Sequence, residues 1–158
     1  MLRMSKLTDY GTVVLAQLAA RRDGLTTAAE LAEATHLGQP TVSKLLKSLA
    51  QAGLVVSARG VRGGYALARP PTEITAAQII DALEGPVAIT ACSSAHGLCD
   101  LESVCRVGTA WQRINVSIRS ALQRVTLADL QTEAEPLPPP NLLAALRAAE
   151  PVARRRTD

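Results

Sequence analysis

The sequence has no phenylalanine, one tryptophan and two tyrosines among 158 residues. Modules that read single-stranded nucleic acid stack bases on aromatic side chains, and this chain has little to offer them. If it binds nucleic acid, the composition points to duplex DNA. No apolar run approaches the ~20 residues needed to cross a bilayer. The opening Met1-Leu2-Arg3-Met4-Ser5-Lys6 lacks an apolar core followed by a small-residue cleavage site and does not read as a secretory signal. The expectation is a cytoplasmic protein without a membrane partner. In that reducing compartment its three cysteines are not expected to form structural disulfides.

Histidine is scarce too. His36 and His96 are the two present, and neither has an evident orienting partner for a nucleophile–base pair with a cysteine. The glycines of Gly60–Gly64 join extended segments and sit among arginines, instead of leading into a helix as a phosphate-cradling loop does. The chain is therefore not expected to be an enzyme or to have a small-molecule substrate. Hydrophobic residues make up 47% and charged residues 20%, a globular composition and not a disordered one.

The net charge of +3 is unevenly spread. Residues 1–69 hold nine Lys/Arg against four Asp/Glu, whereas residues 70–158 hold eight against ten. A polyanion would therefore dock on the N-terminal half.

Periodicity supplies the elements. Tyr10, Val13, Val14, Leu15 and Leu18 give a helical rhythm over Thr8–Ala20, with Thr8 as its expected cap. Thr27-Ala28-Ala29-Glu30 fits a capping box opening a helix to about Ala34. The turn Thr35-His36-Leu37-Gly38 follows, with His36 expected at the surface or as a cap. Pro40 suits the first turn of another helix, whose stripe is Val42, Leu45, Leu46 and Leu49 and whose end is Gly53. Leu54–Ala58 and Tyr65–Ala68 flank Arg59-Gly60-Val61-Arg62-Gly63-Gly64, a hairpin with a basic tip. Together these predict a mainly α fold with a small β-hairpin wing, a winged helix-turn-helix over residues 1–69. After Pro70-Pro71, a second capping box at Thr75–Gln78 opens a helix that stops near Glu84-Gly85-Pro86. Val107, Trp111, Ile114, Ile118, Leu122 and Val125 recur at helical spacing, a helix of about 20 residues or ~30 Å. Residues 70–130 form the second expected unit, and 131–158 a Pro-rich linker with a mobile tail.

A helix-turn-helix lays its second helix in the major groove. The candidates for contact there are Gln39, Thr41, Ser43, Lys44 and Lys47, the hydroxyls suited to bases or phosphates and the lysines mainly to charge. Arg59 and Arg62 at the wing tip suit a narrow minor groove. The competing reading is a packing module with a solvated polar face.

Cys92, Cys99 and Cys105 fall in a stretch without sustained periodicity. Thiolates are soft ligands for iron–sulfur clusters, zinc and copper(I), and the tight cysteine pair usual in structural zinc sites is missing. A cluster needs a fourth ligand, for which Asp9, His96, Asp100 and Glu102 are candidates. The same cysteines can instead act as a metal-free thiol redox switch.

Taken together, Leu7-Thr8-Asp9-Tyr10-Gly11, the wing Arg59–Tyr65, Ile79–Pro86 and the three cysteines resemble the Rrf-two family of winged-helix regulators. That family includes Isc-type cluster regulators and nitric-oxide-sensing repressors, and the N-terminus is most similar to its SUF-assembly branch. The resemblance covers roughly residues 1–130. It implies a homodimer joined through the long helix Val107–Val125 and a 2Fe–2S or 4Fe–4S cluster on the three cysteines. It further implies duplex operator binding, often as a repressor, that follows cluster status. Isc-type members carry a histidine shortly after the third cysteine, where this chain has Arg106-Val107-Gly108. Nitric-oxide-sensing members use an aspartate from the opposite subunit at the position of Asp9, which makes Asp9 the implied fourth ligand and His96 a weaker candidate.

Overall fold

A computed structural model of the chain describes residues 4–21, 24–60, 62–90, 93, 105 and 107–131. Three helices come first: α1 (Lys6–Ala20), α2 (Ala28–Thr35) and α3 (Gln39–Gln51). Strands β1 (Val55–Ala58) and β2 (Gly64–Leu67) follow, then a 3₁₀ turn at Pro71–Glu73, α4 (Ala76–Leu83), α5 (Gly108–Arg124) and α6 (Leu127–Gln131). The mainly α fold with a hairpin wing is the one the sequence predicts.

Local chemistry sets most of the boundaries. At Thr27 and at Thr75 both halves of a capping box are made, with Glu30 and Gln78 reaching back to the cap amides. Each satisfies two backbone N–H groups that the helix itself leaves unpaired. Helix α2 ends at His36, which adopts a left-handed conformation (φ 55°) and donates its N–H to Glu33 O. The cap expected at Thr8 is instead Ser5, whose hydroxyl accepts the Leu7 N–H at 3.2 Å. Thr8 lies within α1, 3% exposed, and its hydroxyl donates to the Glu84 carboxylate.

The core is aliphatic. Val42, Leu45, Leu46 and Leu49 of α3 are buried against Val14, Leu15 and Leu18 of α1 and Leu31 of α2. Each such side chain stabilises the fold by roughly 1.5–3 kcal/mol. Ile74, Ile79 and Leu127 join the same cluster, because the α5–α6 corner returns to the start of α4. There Leu127 N donates to Ile74 O at 2.7 Å and Ala76 N to Val125 O at 2.8 Å. Gly11 makes room for α4 against α1, since a Cβ there would collide with the Leu83 side chain.

The strands pair antiparallel, Val55 opposite Leu67 and Ala58 opposite Gly64. A backbone bridge from Thr26 to Tyr65, at 2.8 and 2.9 Å, ties the hairpin to the start of α2. The wing is thereby fixed relative to α2 and α3. Helix α5 packs along α4 and is fastened to it by Arg119, which donates to both Asp81 oxygens at 3.0 and 2.5 Å. Among the described residues no helix is long and apolar enough to cross a membrane.

Candidate nucleic-acid interface and cysteine segment

Helix α3 has two chemically different faces. Its apolar stripe is buried, while Gln39, Ser43, Lys44 and Lys47 are exposed and Thr41 is half-buried beside Gly38. All five sequence-predicted residues of this helix therefore lie off its core-facing stripe. Pro40 sits in the first turn after Gly38, where its missing N–H has no intrahelical partner to lose.

The wing tip is built by its glycines. Gly60 has φ 111°, a conformation that disfavours side chains, and Gly63 N closes the turn onto Gly60 O at 2.9 Å. A Cβ at Gly63 would lie 2.5 Å from Ala58 O, and one at Gly64 would lie 2.9 Å from the Thr26 backbone. These positions admit no side chain without moving backbone, so the tip stays thin. Arg59 and Arg62 are exposed on it, and neither makes an ion pair among the described residues. A thin, doubly cationic tip held rigidly beside a polar helix face is suited to phosphate and groove contact.

Cys105 is a free, half-buried thiol just before α5. A Cβ on Gly108 would lie 3.8 Å from its Sγ, so the first turn of α5 passes directly beside the sulfur. Cys92, Cys99, His96, Asp100 and Glu102 lie outside the described residues. Asp9 is exposed in the first turn of α1, where a carboxylate also favours the helix dipole. It lines a groove of about 450 Å³ together with Met4, Val13, Ile80, Leu122 and Val125. Leu122 belongs to the last turns of α5 and Cys105 precedes its first, so ~25 Å of helix separates their ends at 1.5 Å per residue. Within one chain Asp9 and Cys105 are held at opposite ends of α5. Among the described residues no three His, Cys, Asp or Glu side chains converge.

Helix α5 is unusual in what it leaves outside. Val107, Trp111, Ile114 and Val116 are 58, 40, 43 and 63% exposed, while Asn115 is the residue the helix buries. Its Nδ2 donates to Val87 O at 3.1 Å and Ser93 O at 3.5 Å. At the C-terminal end of α4, three residues before Val87, Glu84 accepts the Ser5 N–H at 3.0 Å as well as the Thr8 hydroxyl. These hydrogen bonds, led by that from Thr8, hold the Glu84 carboxyl below the usual carboxylate range. Sequence reasoning missed Asn115 and Glu84. Asn115 has a visible signal, lying four residues after Trp111 and three before Ile118, beside the apolar stripe. Glu84 has none, because its partners are 76 and 79 residues away.

The family profile of Rrf2, described as an iron-dependent transcriptional regulator, matches residues 4–133. The HTH-type transcriptional regulator CymR of Bacillus subtilis (strain 168) is 35% identical over 130 residues, spanning 82% of this chain and 89% of that protein. The solved structure of CymR (YrzC), the global cysteine regulator of B. subtilis, superposes with a TM-score of 0.67 at 30% identity. That match covers 85% of this chain and 100% of the other. T. potens IscR gives a TM-score of 0.61 at 29% identity over 96% of this chain and 94% of its own. A winged helix with an exposed reading face, matched over most of its length by regulators of transcription, places the chain as a member of the Rrf2 family of transcriptional regulators.

Proposed function

We propose that this regulator is a homodimer that holds a duplex operator with α3 and the wing and changes its grip with the chemical state of Cys92, Cys99 and Cys105. The observation that carries this reading is the division of surfaces. Gln39, Ser43, Lys44, Lys47, Arg59 and Arg62 stand exposed on one core, and α5 offers an apolar face of Trp111 and Ile114 for a second copy. Two heads related by a two-fold axis meet half-sites about one helical turn (~34 Å) apart, so a shift of a few ångströms between them changes affinity.

The likeness to the global cysteine regulator of B. subtilis supports a thiol-based signal. Two of the three thiols joining as a disulfide release two protons and pass two electrons to an oxidant such as a peroxide or a small disulfide. The new bond then shortens the segment that leads into α5.

A second reading, iron–sulfur sensing, is favoured by the family's description as iron-dependent and by the likeness to T. potens IscR over 96% of the chain. The donor set fits a 2Fe–2S or 4Fe–4S cluster, because three soft thiols lie within fourteen residues ending at the half-buried Cys105. Asp9 of the partner subunit would complete it, since within a chain α5 keeps Asp9 and Cys105 apart. When bound, the group supplies sensitivity to oxidants, nitric oxide and iron supply, which suits control of SUF-type assembly genes. Cys105 anchors the start of α5 in either reading.

The test is anaerobic isolation with iron and sulfide quantitation and visible spectra. Operator binding is then compared for the reduced, diamide-oxidised and iron–sulfide-reconstituted protein. Colourless protein that shifts affinity on oxidation, with the shift lost in Cys105→Ala, supports the thiol switch. Visible absorbance lost with the same substitution supports the cluster. Equal affinity in all three states overturns cysteine sensing altogether.

A further inference from the structure

Helix α5 buries Asn115, 8% exposed, while Trp111, Ile114 and Val116 stay exposed. The carboxamide's two N–H groups reach two carbonyls of one segment, Val87 O and Ser93 O. The reverse placement of the amide would face oxygen against two carbonyl oxygens, so these partners fix its orientation. Ser93 is itself locked in a turn, its N–H on Thr90 O at 2.9 Å and its hydroxyl 2.7 Å from that of Thr90. Ser93 directly follows Cys92 in the chain.

The other end of the same carboxamide is unbalanced. Asn115 Oδ1 is buried and has no hydrogen-bond partner among the described residues. A buried acceptor left unpaired costs free energy, and evolution retains such a group where it has a second use. A leucine would fill this place beside the helix's apolar stripe without that cost.

We infer that Asn115 is the positioning residue through which the cysteine segment holds α5: it clamps Val87 and Ser93, the neighbour of Cys92, to the helix and passes a change at the cysteines to it. The inference rests on the cysteine-sensing reading proposed above.

The test uses the full chain with Asn115→Leu and the isosteric Asn115→Asp, which turns both donors into an acceptor. The reading is the ratio of operator Kd between the two cysteine states that differ most in the wild type. A coupling of ordinary strength makes that ratio about 5–150-fold. Both variants are expected to bring it close to one while keeping wild-type dimerisation and wild-type affinity in the tighter state. Amide hydrogen exchange across residues 87–93 is expected to quicken in both and to lose its dependence on cysteine state. Should Asn115→Leu fail to fold, Asn115→Asp carries the test, being matched in shape. A variant that folds and retains the wild-type ratio overturns the inference. A wild type with no ratio at all overturns the sensing reading and this inference with it, and the two failures are told apart by the protein in which they appear.

Discussion

The wing gives the sharpest quantitative test of how this protein meets DNA. Arg59 and Arg62 are exposed on a tip whose shape is set by Gly60, Gly63 and Gly64, so replacing both with alanine removes charge without disturbing the hairpin. Each phosphate neutralised on B-DNA contributes about 0.9 to the slope of log K against log salt. Two arginines on each of two wings make four contacts, and the double variant should lower the slope by roughly 3.6. Over a fourfold change in salt, from about 50 to 200 mM, that is about 2.2 decades. The affinity deficit of the variant should therefore shrink by more than a hundredfold across that range. Fluorescence anisotropy on a labelled promoter duplex, titrated at five salt concentrations, measures both slopes. A wild-type slope in the double variant would take the wing out of the interface, whatever the loss of affinity at one salt concentration. Lys44→Ala serves as the comparison on α3, with an expected change of about 1.8 for the dimer if that lysine meets phosphate.

The exposed face of α5 predicts that Ile114→Glu dissociates the dimer. Ile114 is 43% exposed, so completing its burial stabilises association by roughly 1 kcal/mol per protomer, counted twice by symmetry. An unpaired carboxylate at the centre of the face adds several kcal/mol of opposition. Sedimentation equilibrium should show a dimer dissociation constant raised by two orders of magnitude or more, and an unchanged constant would move the interface elsewhere. The acid limb of stability should depend on Glu84. Because its folded pKa is depressed, the stabilisation is fully present above the ordinary carboxylate pKa and is lost as pH falls through the lowered folded value. Thermal melts taken from about pH 6 down to pH 3 should therefore fall less steeply in Glu84→Gln than in the wild type. Identical limbs would show that the Thr8 and Ser5 contacts do not form in solution.

Much of the winged helix is legible because its signals are local. The Thr27–Glu30 and Thr75–Gln78 boxes, the stripe of α3 and the glycine wing each act within a few residues. The same reasoning misplaces the start of α1. Thr8 has the chemistry of a cap, but its hydroxyl is taken by Glu84, a partner that only the packing of α4 on α1 brings near. Asn115 has the spacing of a stripe residue but the wrong type for one. A polar residue in an amphipathic helix reads as solvent-facing, and here it is the one the helix buries while Trp111 and Ile114 stay open. Both misreadings have one cause, partners far away in sequence: Glu84 for Thr8, and the carbonyls of Val87 and Ser93 for Asn115.

The same packing gives a reason why a change at the cysteines could be felt at α3. Helix α4 packs on α1, α3 and α5, and its contacts with α5 and α1 each have a specific device. Asp81 and Arg119 lock α4 to α5 through a paired geometry that resists sliding. At the end of α4 nearest the cysteine segment, Leu83 fills the space that Gly11 leaves in α1, and Glu84 takes the Ser5 and Thr8 donors. Gly85 (φ 91°) and Pro86 then turn the chain toward Val87, which Asn115 holds. A pull on the segment would therefore act on the C-terminal end of one short helix, directly at Glu84 and through α5 at Asp81. Since α1, α3 and α4 are close-packed, with Val42, Leu45 and Leu46 fully buried, the head would move as a body and not deform. What two such heads would change is their separation, and it is separation that a pair of half-sites on one duplex reads.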